Sequence, residues 1–184
     1  DREQAIAAMR AGLNGFEIEG IGHNLPFLSA VMDHPRFVSG QITTGFIAEE
    51  FPDGFHGVRL LPEDQARVAA AAAAMYRVAE IRRARISGRL GNHERKVGSH
   101  WVVSIDGREF DTLIAADRDG STVTVDGRAL RVVSDWVPGR ALAHMMVGGR
   151  PLVLKVGKIP SGFRLRTSGA DMRVLIRPPR AAEL

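Results

Sequence analysis

LPEDQARVAAAAAAMYRVAEIRRARIS, residues 61–87, is the stretch whose reading decides the fold. Pro62 suits a first helical position, and Glu63 and Asp64 sit against the positive end of the helix dipole. Arg82, Arg83 and Arg85 crowd the opposite end, and Gly88 offers a stop. A helix over 61–87 would be roughly 37 Å long at about 1.5 Å per residue. From Ala69 to Ala74 the segment has no polar side, so no apolar stripe can be drawn. A helix apolar all round is enclosed rather than laid on a surface. Alanine also keeps the rod thin, letting other backbone approach from several sides. The competing reading is an exposed helix or linker, since alanine is simply the best helix former.

Downstream of the helix, turn signals recur about every ten residues: Asp106-Gly107, Asp119-Gly120, Asp126-Gly127, Pro138-Gly139, Gly148-Gly149 and Ser161-Gly162. Between them apolar residues alternate, as in Trp101, Val103, Ile105, then Phe110, Thr112, Ile114, then Val123, Val125, then Leu130, Val132. The pattern continues through Leu142, His144, Met146, then Leu152, Leu154, Val156, then Phe163, Leu165, and finally Met172, Val174, Ile176. Eight one-sided strands joined by tight turns predict an antiparallel meander, and closing it removes two exposed edges. The chain is therefore expected to be α+β, with a long central helix enclosed by an eight-stranded barrel over residues 97–177. SGRLGNHERKVGSH, between helix and strands, is a long polar connection of the functional or disordered kind.

The first 55 residues read as small one-sided elements. DREQAIAAMRAGLNG reads as the tail of a helix stopped by Asn14-Gly15, FEIEGIG as a short strand, and LPFLSAVMD as a helix with Asn24 as its cap. His34-Pro35 ends that helix. Thr43 or Thr44 caps GFIAEEF, which Pro52-Asp53-Gly54 closes.

The totals exclude several classes. With 184 residues, 45% hydrophobic and 25% charged, the chain supports one or two cores and is not disordered. Without cysteine there is no disulfide, thiolate nucleophile or cysteine zinc site. The formal charge is only +4, so the pI near 10.3 argues weakly for nucleic acid. No segment reaches membrane-spanning length and none reads as a signal peptide. The opening at Asp1, in mid-pattern, marks a piece of a longer polypeptide. The six histidines (23, 34, 56, 93, 100, 144) lack metal-ligand spacing, and His144 is expected to be a hydrogen-bonded core residue. Asp106, Asp119 and Asp126 each precede glycine, which turn chemistry explains.

GFEIEGIGHNLPFLSAVMDHPRFVSGQITTGFIAEEFPDGF, with Gly20-Ile21, Asn24, Phe27-Leu28, Phe37, Gly40, Thr43 and Phe46-Ile47, resembles the C-terminal end of the biotin carboxylase region of biotin-dependent acyl-CoA carboxylases. Phe51–Phe55, the central helix and the closing Ala-Ala-Glu-Leu resemble the alpha subunits that act on propionyl-CoA. The resemblance implies residues 1–55 as the end of a biotin carboxylase domain and 56–184 as a BT domain, a helix within an eight-stranded barrel. It implies that the parent converts propionyl-CoA to methylmalonyl-CoA with ATP, Mg²⁺, bicarbonate and covalent biotin. It implies a hetero-oligomer whose partners are a carboxyltransferase beta subunit and a biotin carrier domain, in a bacterial cytoplasm or a mitochondrial matrix. The ATP-grasp residues precede this piece in the family. Lys155 and Lys158 lack the methionines that flank a biotinyl lysine, so no acceptor is expected here. By position Thr44 falls near the adenine wall. The helix-to-barrel connection, 87–99, corresponds to a hook that docks on the partner, with Arg89, Leu90, Gly91, Asn92, His93, Glu94, Arg95 and Lys96 as its contact residues. Leu90 would be the apolar anchor, and the charged side chains would make charge-assisted hydrogen bonds. Three alternatives stay open: a solvated loop at 87–99, a sibling carboxylase with another acyl-CoA, and a stand-alone barrel that binds a ligand or nucleic acid.

Overall fold

The computed structural model describes residues 1–16, 18, 20–85 and 96–182. Two compact units form, one of Asp1–Leu60 with Arg166–Asp171, the other of Leu61–Leu165 with Met172–Leu184.

In the first unit, α1 (Arg2–Gly15) opens with a capping box, Asp1 accepting from the Gln4 N–H at 2.8 Å. α2 (Leu25–Asp33) follows, with Pro26 in its first turn. His34-Pro35 ends it as expected, but Pro35 then starts a further helix, α3 (Pro35–Ser39), closed by Gly40 at φ 80°. α4 is Phe46–Glu50. Two local expectations fail here, and a third holds in position only. No strand forms at Phe16 or Ile18, and Phe16 and Ile21 are exposed. Asn24 stands at the N-cap as expected, but its side chain makes no cap bond and its carbonyl accepts from the Leu28 N–H. α4 is capped by Gly45 rather than a threonine, the Thr43 hydroxyl instead taking the Gly45 N–H at 3.2 Å in a local turn. Rings hold the unit together: Phe27 and Phe51 meet edge to face at 5.2 Å, and His34 and Phe46 at 5.1 Å. Glu50 joins His34 at 3.1 Å and Arg36 at 2.6 Å. The Arg36 guanidinium holds the Glu50 carboxyl below its usual range. Asn14 accepts the Ser168 N–H at 2.9 Å.

The second unit is built on α5 (Pro62–Ala84) with Arg85 as its C-cap, and residues 86 and 87 of the expected helix lie outside the described residues. At 23 residues it is about 34 Å long. Eight antiparallel strands follow: β1 (His100–Ile105), β2 (Arg108–Ala116), β3 (Ser121–Val125), β4 (Arg128–Ser134), β5 (Leu142–Val147), β6 (Arg150–Ile159), β7 (Gly162–Thr167) and β8 (Ala170–Arg177). They close in sequence order, β8 pairing back on β1 with Val102 opposite Arg177. Ala69 to Ala73 are wholly inaccessible to solvent, and α5 packs on β1 through β5. The enclosed helix and closed barrel therefore stand as expected. Alanine is required because Phe110, Leu154, Leu165 and Ile176, all fully buried, already fill the space a larger residue would need.

Strand β5 inverts the expectation. Ala143, Met145 and Val147 are buried, while His144 and Met146 face out. His144 is thus a surface residue, not a core one. Both faces of Leu-Ala-His-Met-Met-Val carry apolar side chains, so sequence alone could not choose the register, and a one-residue slip exchanges the faces. Pairing with β4 chooses it, with Met146 opposite Val133, which is also exposed.

The turns carry the polar bookkeeping. Asp106 and Asp126 adopt φ of 49° and 47°, each followed by a glycine at positive φ, the geometry of a tight hairpin. Asp117 is gripped by two guanidinium nitrogens of Arg131, one at 2.8 Å. That hydrogen bonding pulls its carboxyl from 3.8 to about 2. A depressed folded-state value stabilises above the ordinary carboxylate range and ceases to do so as pH falls through about 2. Asp117→Asn is accordingly expected to melt below the parent protein at pH 7, with the gap closing as pH approaches 2; thermal scans across that range check it.

Candidate functional site

The two described ends of the connection between α5 and β1 are held by the barrel. On the helix side, Tyr76 meets Trp101 of β1 edge to face at 5.2 Å, tying the emerging helix to the start of the strand. Glu80, only 2% exposed, bonds Arg83 at 2.6 Å, and the Arg85 N–H closes the last turn on Ile81 and Arg82 carbonyls at 3.2 Å each. On the strand side β1 is hydrogen-bonded to β2 and to β8, and the Thr112 hydroxyl donates to the Trp101 carbonyl at 2.7 Å. Both ends are cationic: Arg82, Arg83 and Arg85 leave the helix, and exposed Lys96 leads back in. Connections held at both ends by a rigid scaffold commonly carry recognition residues.

Of the residues expected to form the hook, Arg89, Leu90, Gly91, Asn92, His93, Glu94 and Arg95 lie outside the described residues. Lys96 is exposed and outside any strand, as are Gly98 and Ser99, with Val97 half-buried. Thr44 is exposed on the loop before α4, and its neighbour Thr43 makes the local hydrogen bond. Among the described residues no helix is long and apolar enough to cross a membrane, and no three His, Asp or Glu side chains converge as metal ligands would.

Sequence reading missed Arg67, which sits within the alanine helix yet is 9% exposed. Its guanidinium donates to the Val147, Arg150 and Pro151 carbonyls at 3.3, 3.1 and 2.9 Å and to Asp64 at 2.9 Å, fastening the helix start to the β5–β6 turn. The available signal was the i, i+3 spacing of Asp64 and Arg67 at a helix entrance.

Comparison with known proteins adds to this geometry. Residues 68–184 match the family described as propionyl-coenzyme A carboxylase BT domain, and residues 1–49 match the biotin carboxylase C-terminal domain. The chain is 66% identical, over its whole length, to a propionyl-CoA carboxylase alpha chain of Ruegeria pomeroyi, covering 27% of that protein. It is 30% identical over its whole length to the mitochondrial propionyl-CoA carboxylase alpha chain of Rattus norvegicus, covering 26% of it. Likeness to the mitochondrial methylcrotonoyl-CoA carboxylase subunit alpha of Dictyostelium discoideum is 40% over 47 residues, 26% of this chain and 7% of that one. The chain thus spans about a quarter of the length of the propionyl-CoA relatives. With a helix-filled barrel in place and its sequence matched from Val68 onward, the chain belongs to the propionyl-coenzyme A carboxylase BT domain family.

Proposed function

We propose that this chain is the assembly part of a propionyl-CoA carboxylase alpha subunit, joining its biotin carboxylase domain to a carboxyltransferase beta subunit. The match of residues 68–184 to the BT domain family carries the reading. Residues 1–55 are assigned to the end of the biotin carboxylase domain and 56–184 to the BT domain. The parent carboxylates propionyl-CoA to methylmalonyl-CoA with ATP, Mg²⁺, bicarbonate and biotin, in the cytoplasm of a bacterium or the mitochondrial matrix. No step of that chemistry is assigned to residues of this chain, and Thr44 is kept only as a position near the adenine wall.

The physical contribution is proximity. Biotin on its carrier domain must visit two active sites, and holding both in one hetero-oligomer replaces a bimolecular search with an intramolecular one at high effective concentration. The connection at 87–99, with Arg89, Leu90, Gly91, Asn92, His93, Glu94, Arg95 and Lys96 as contact residues, is the docking element. Support comes from its two ends, the Tyr76–Trp101 contact and the doubly paired β1, which hold its origin fixed at low entropic cost.

Co-purification with a propionyl-CoA carboxyltransferase subunit tests this. Replacing Leu90 to Arg95 by glycine and serine is expected to weaken assembly at least about tenfold, roughly 1.4 kcal/mol. Unchanged assembly would remove the docking role from this segment. No association even with the unaltered chain would remove the proposed partner.

A further inference from the structure

The barrel interior is filled, but the mouth from which α5 emerges is not. The last turns of α5 stand between two grooves within the second unit. One, of about 350 Å³, is edged by Arg77 and Arg118 together with Asp117 and Asp119, and Asp117 is bonded to Arg131. Charge is balanced there.

The second groove, which shares Trp136 with the first, is different. It is a cavity of about 600 Å³, within the size range of small-molecule sites. Trp136 and Phe163 form its floor, 6% and 5% exposed, with ring centroids 5.8 Å apart and nearly perpendicular. Tyr76 of α5 continues that aromatic surface, 6.3 Å from Phe163. The Trp136 indole N–H is already committed to the Arg140 carbonyl at 3.0 Å, so the floor offers an apolar face. Around it stand Arg82, Arg83, Arg140 and Lys158, and no carboxylate is among the described residues of the lining. Glu80 answers Arg83 at 2.6 Å. Asp135 answers Arg140 only at 3.6 Å, with both side chains more than half exposed. Arg82 and Lys158 have no side-chain partner among the described residues. The negative end of the α5 dipole would oppose an anion here, but the Arg85 N–H takes up the Ile81 and Arg82 carbonyls, and two of the four cations come from that same turn.

We propose that this cavity binds an organic carboxylate with an apolar acyl or aryl body. The body rests on the Trp136–Phe163–Tyr76 floor. The carboxylate lies among the four cations, where arginine offers a two-pronged hydrogen-bonding geometry that matches it. The neighbouring groove, which shares Trp136 but has balanced charge, has no such bias, so the preference for an anion is local to one groove. The proposal does not rest on the docking role, which concerns a macromolecular partner, although Tyr76, Arg82 and Arg83 also lie at the helix end where the 87–99 connection begins.

Titration of the whole chain with the fluorescent anion 8-anilinonaphthalene-1-sulfonate, and its displacement by octanoate or octanol, tests the site. One saturable site is expected, with octanoate displacing the dye at a concentration at least tenfold below that of octanol. The double variant Arg82→Ala/Lys158→Ala, at two exposed positions, should weaken both dye and octanoate at least tenfold and keep the parent melting temperature. Ala141→Trp, on the exposed wall of the cavity, should block binding. Arg128→Ala/Arg173→Ala, exposed elsewhere on the barrel, should bind as the parent does. Equal displacement by octanol, undiminished binding by the Arg82/Lys158 variant, or equal loss in the Arg128/Arg173 variant would each overturn the proposal.

Discussion

Ala71→Glu abolishes the cooperative unfolding of the barrel unit. Ala71 is wholly inaccessible, as are its neighbours from Ala69 to Ala73, so the new side chain has neither water nor a partner. An unpaired buried charge costs about 3–5 kcal/mol or more. Forcing extra volume into a filled core adds roughly 1–3 kcal/mol. Together these come to about 4–8 kcal/mol, enough to exhaust the stability of a domain in the lower half of the typical range of about 5–15 kcal/mol. Both tryptophans, Trp101 and Trp136, belong to this unit, so indole fluorescence reports its unfolding separately from the first unit. The expected trace is an unfolded emission maximum with no thermal transition. Two companion substitutions locate the cause. Val78→Glu, at a site 42% exposed on the same helix, should stay within about 0.5 kcal/mol of the parent. Ala71→Gly should cost only about 1 kcal/mol of helix propensity. If Ala71→Glu melted with the parent, the helix would have to be solvated.

Arg67→Met is the second large effect. Methionine keeps the apolar stem while deleting the fork that holds three carbonyls of the β5–β6 region and Asp64. Hydrogen bonds to a charged group contribute about 1.5–3 kcal/mol each, but the turn lies at the rim, where water recovers part of the loss. A net cost of about 2–4 kcal/mol follows, lowering the melting temperature by about 6–12 °C for a unit of this size. Arg67→Lys should fall between, because one ammonium cannot span three carbonyls. A melting temperature within a degree of the parent for Arg67→Met would show that the clamp carries no stability.

How much of this was legible in the sequence depended on whether one signal stood alone. The barrel was legible because Asp106-Gly107 and Asp126-Gly127 demand left-handed backbone and so fix hairpins regardless of context. The enclosed helix was legible because six consecutive alanines leave no solvent face. Strand β5 was not, since either register of its six residues presents an apolar row, and only the neighbouring strand decides between them. FEIEGIG alternates like a strand, but alternation states only that a strand could form, and none forms at its described residues Phe16 and Ile18. Arg67 was hidden for a related reason. Its acceptors are backbone carbonyls some eighty positions away, and carbonyls leave no mark in a sequence. The docking segment rested on family resemblance and position, because a polar glycine-containing stretch has the same composition whether it grips a partner or not.

Closure by β8 on β1 has a consequence for how the chain is made. Val102 meets Arg177, so the first strand to leave the ribosome waits for the last before its outer edge is covered. Until then the nascent sheet carries an open row of amides and carbonyls around an alanine helix that has no other shelter, a state prone to pairing with a neighbouring chain. Truncation upstream of Met172 should therefore yield insoluble protein rather than a smaller barrel, and folding yield should track the speed of synthesis through the final hairpin.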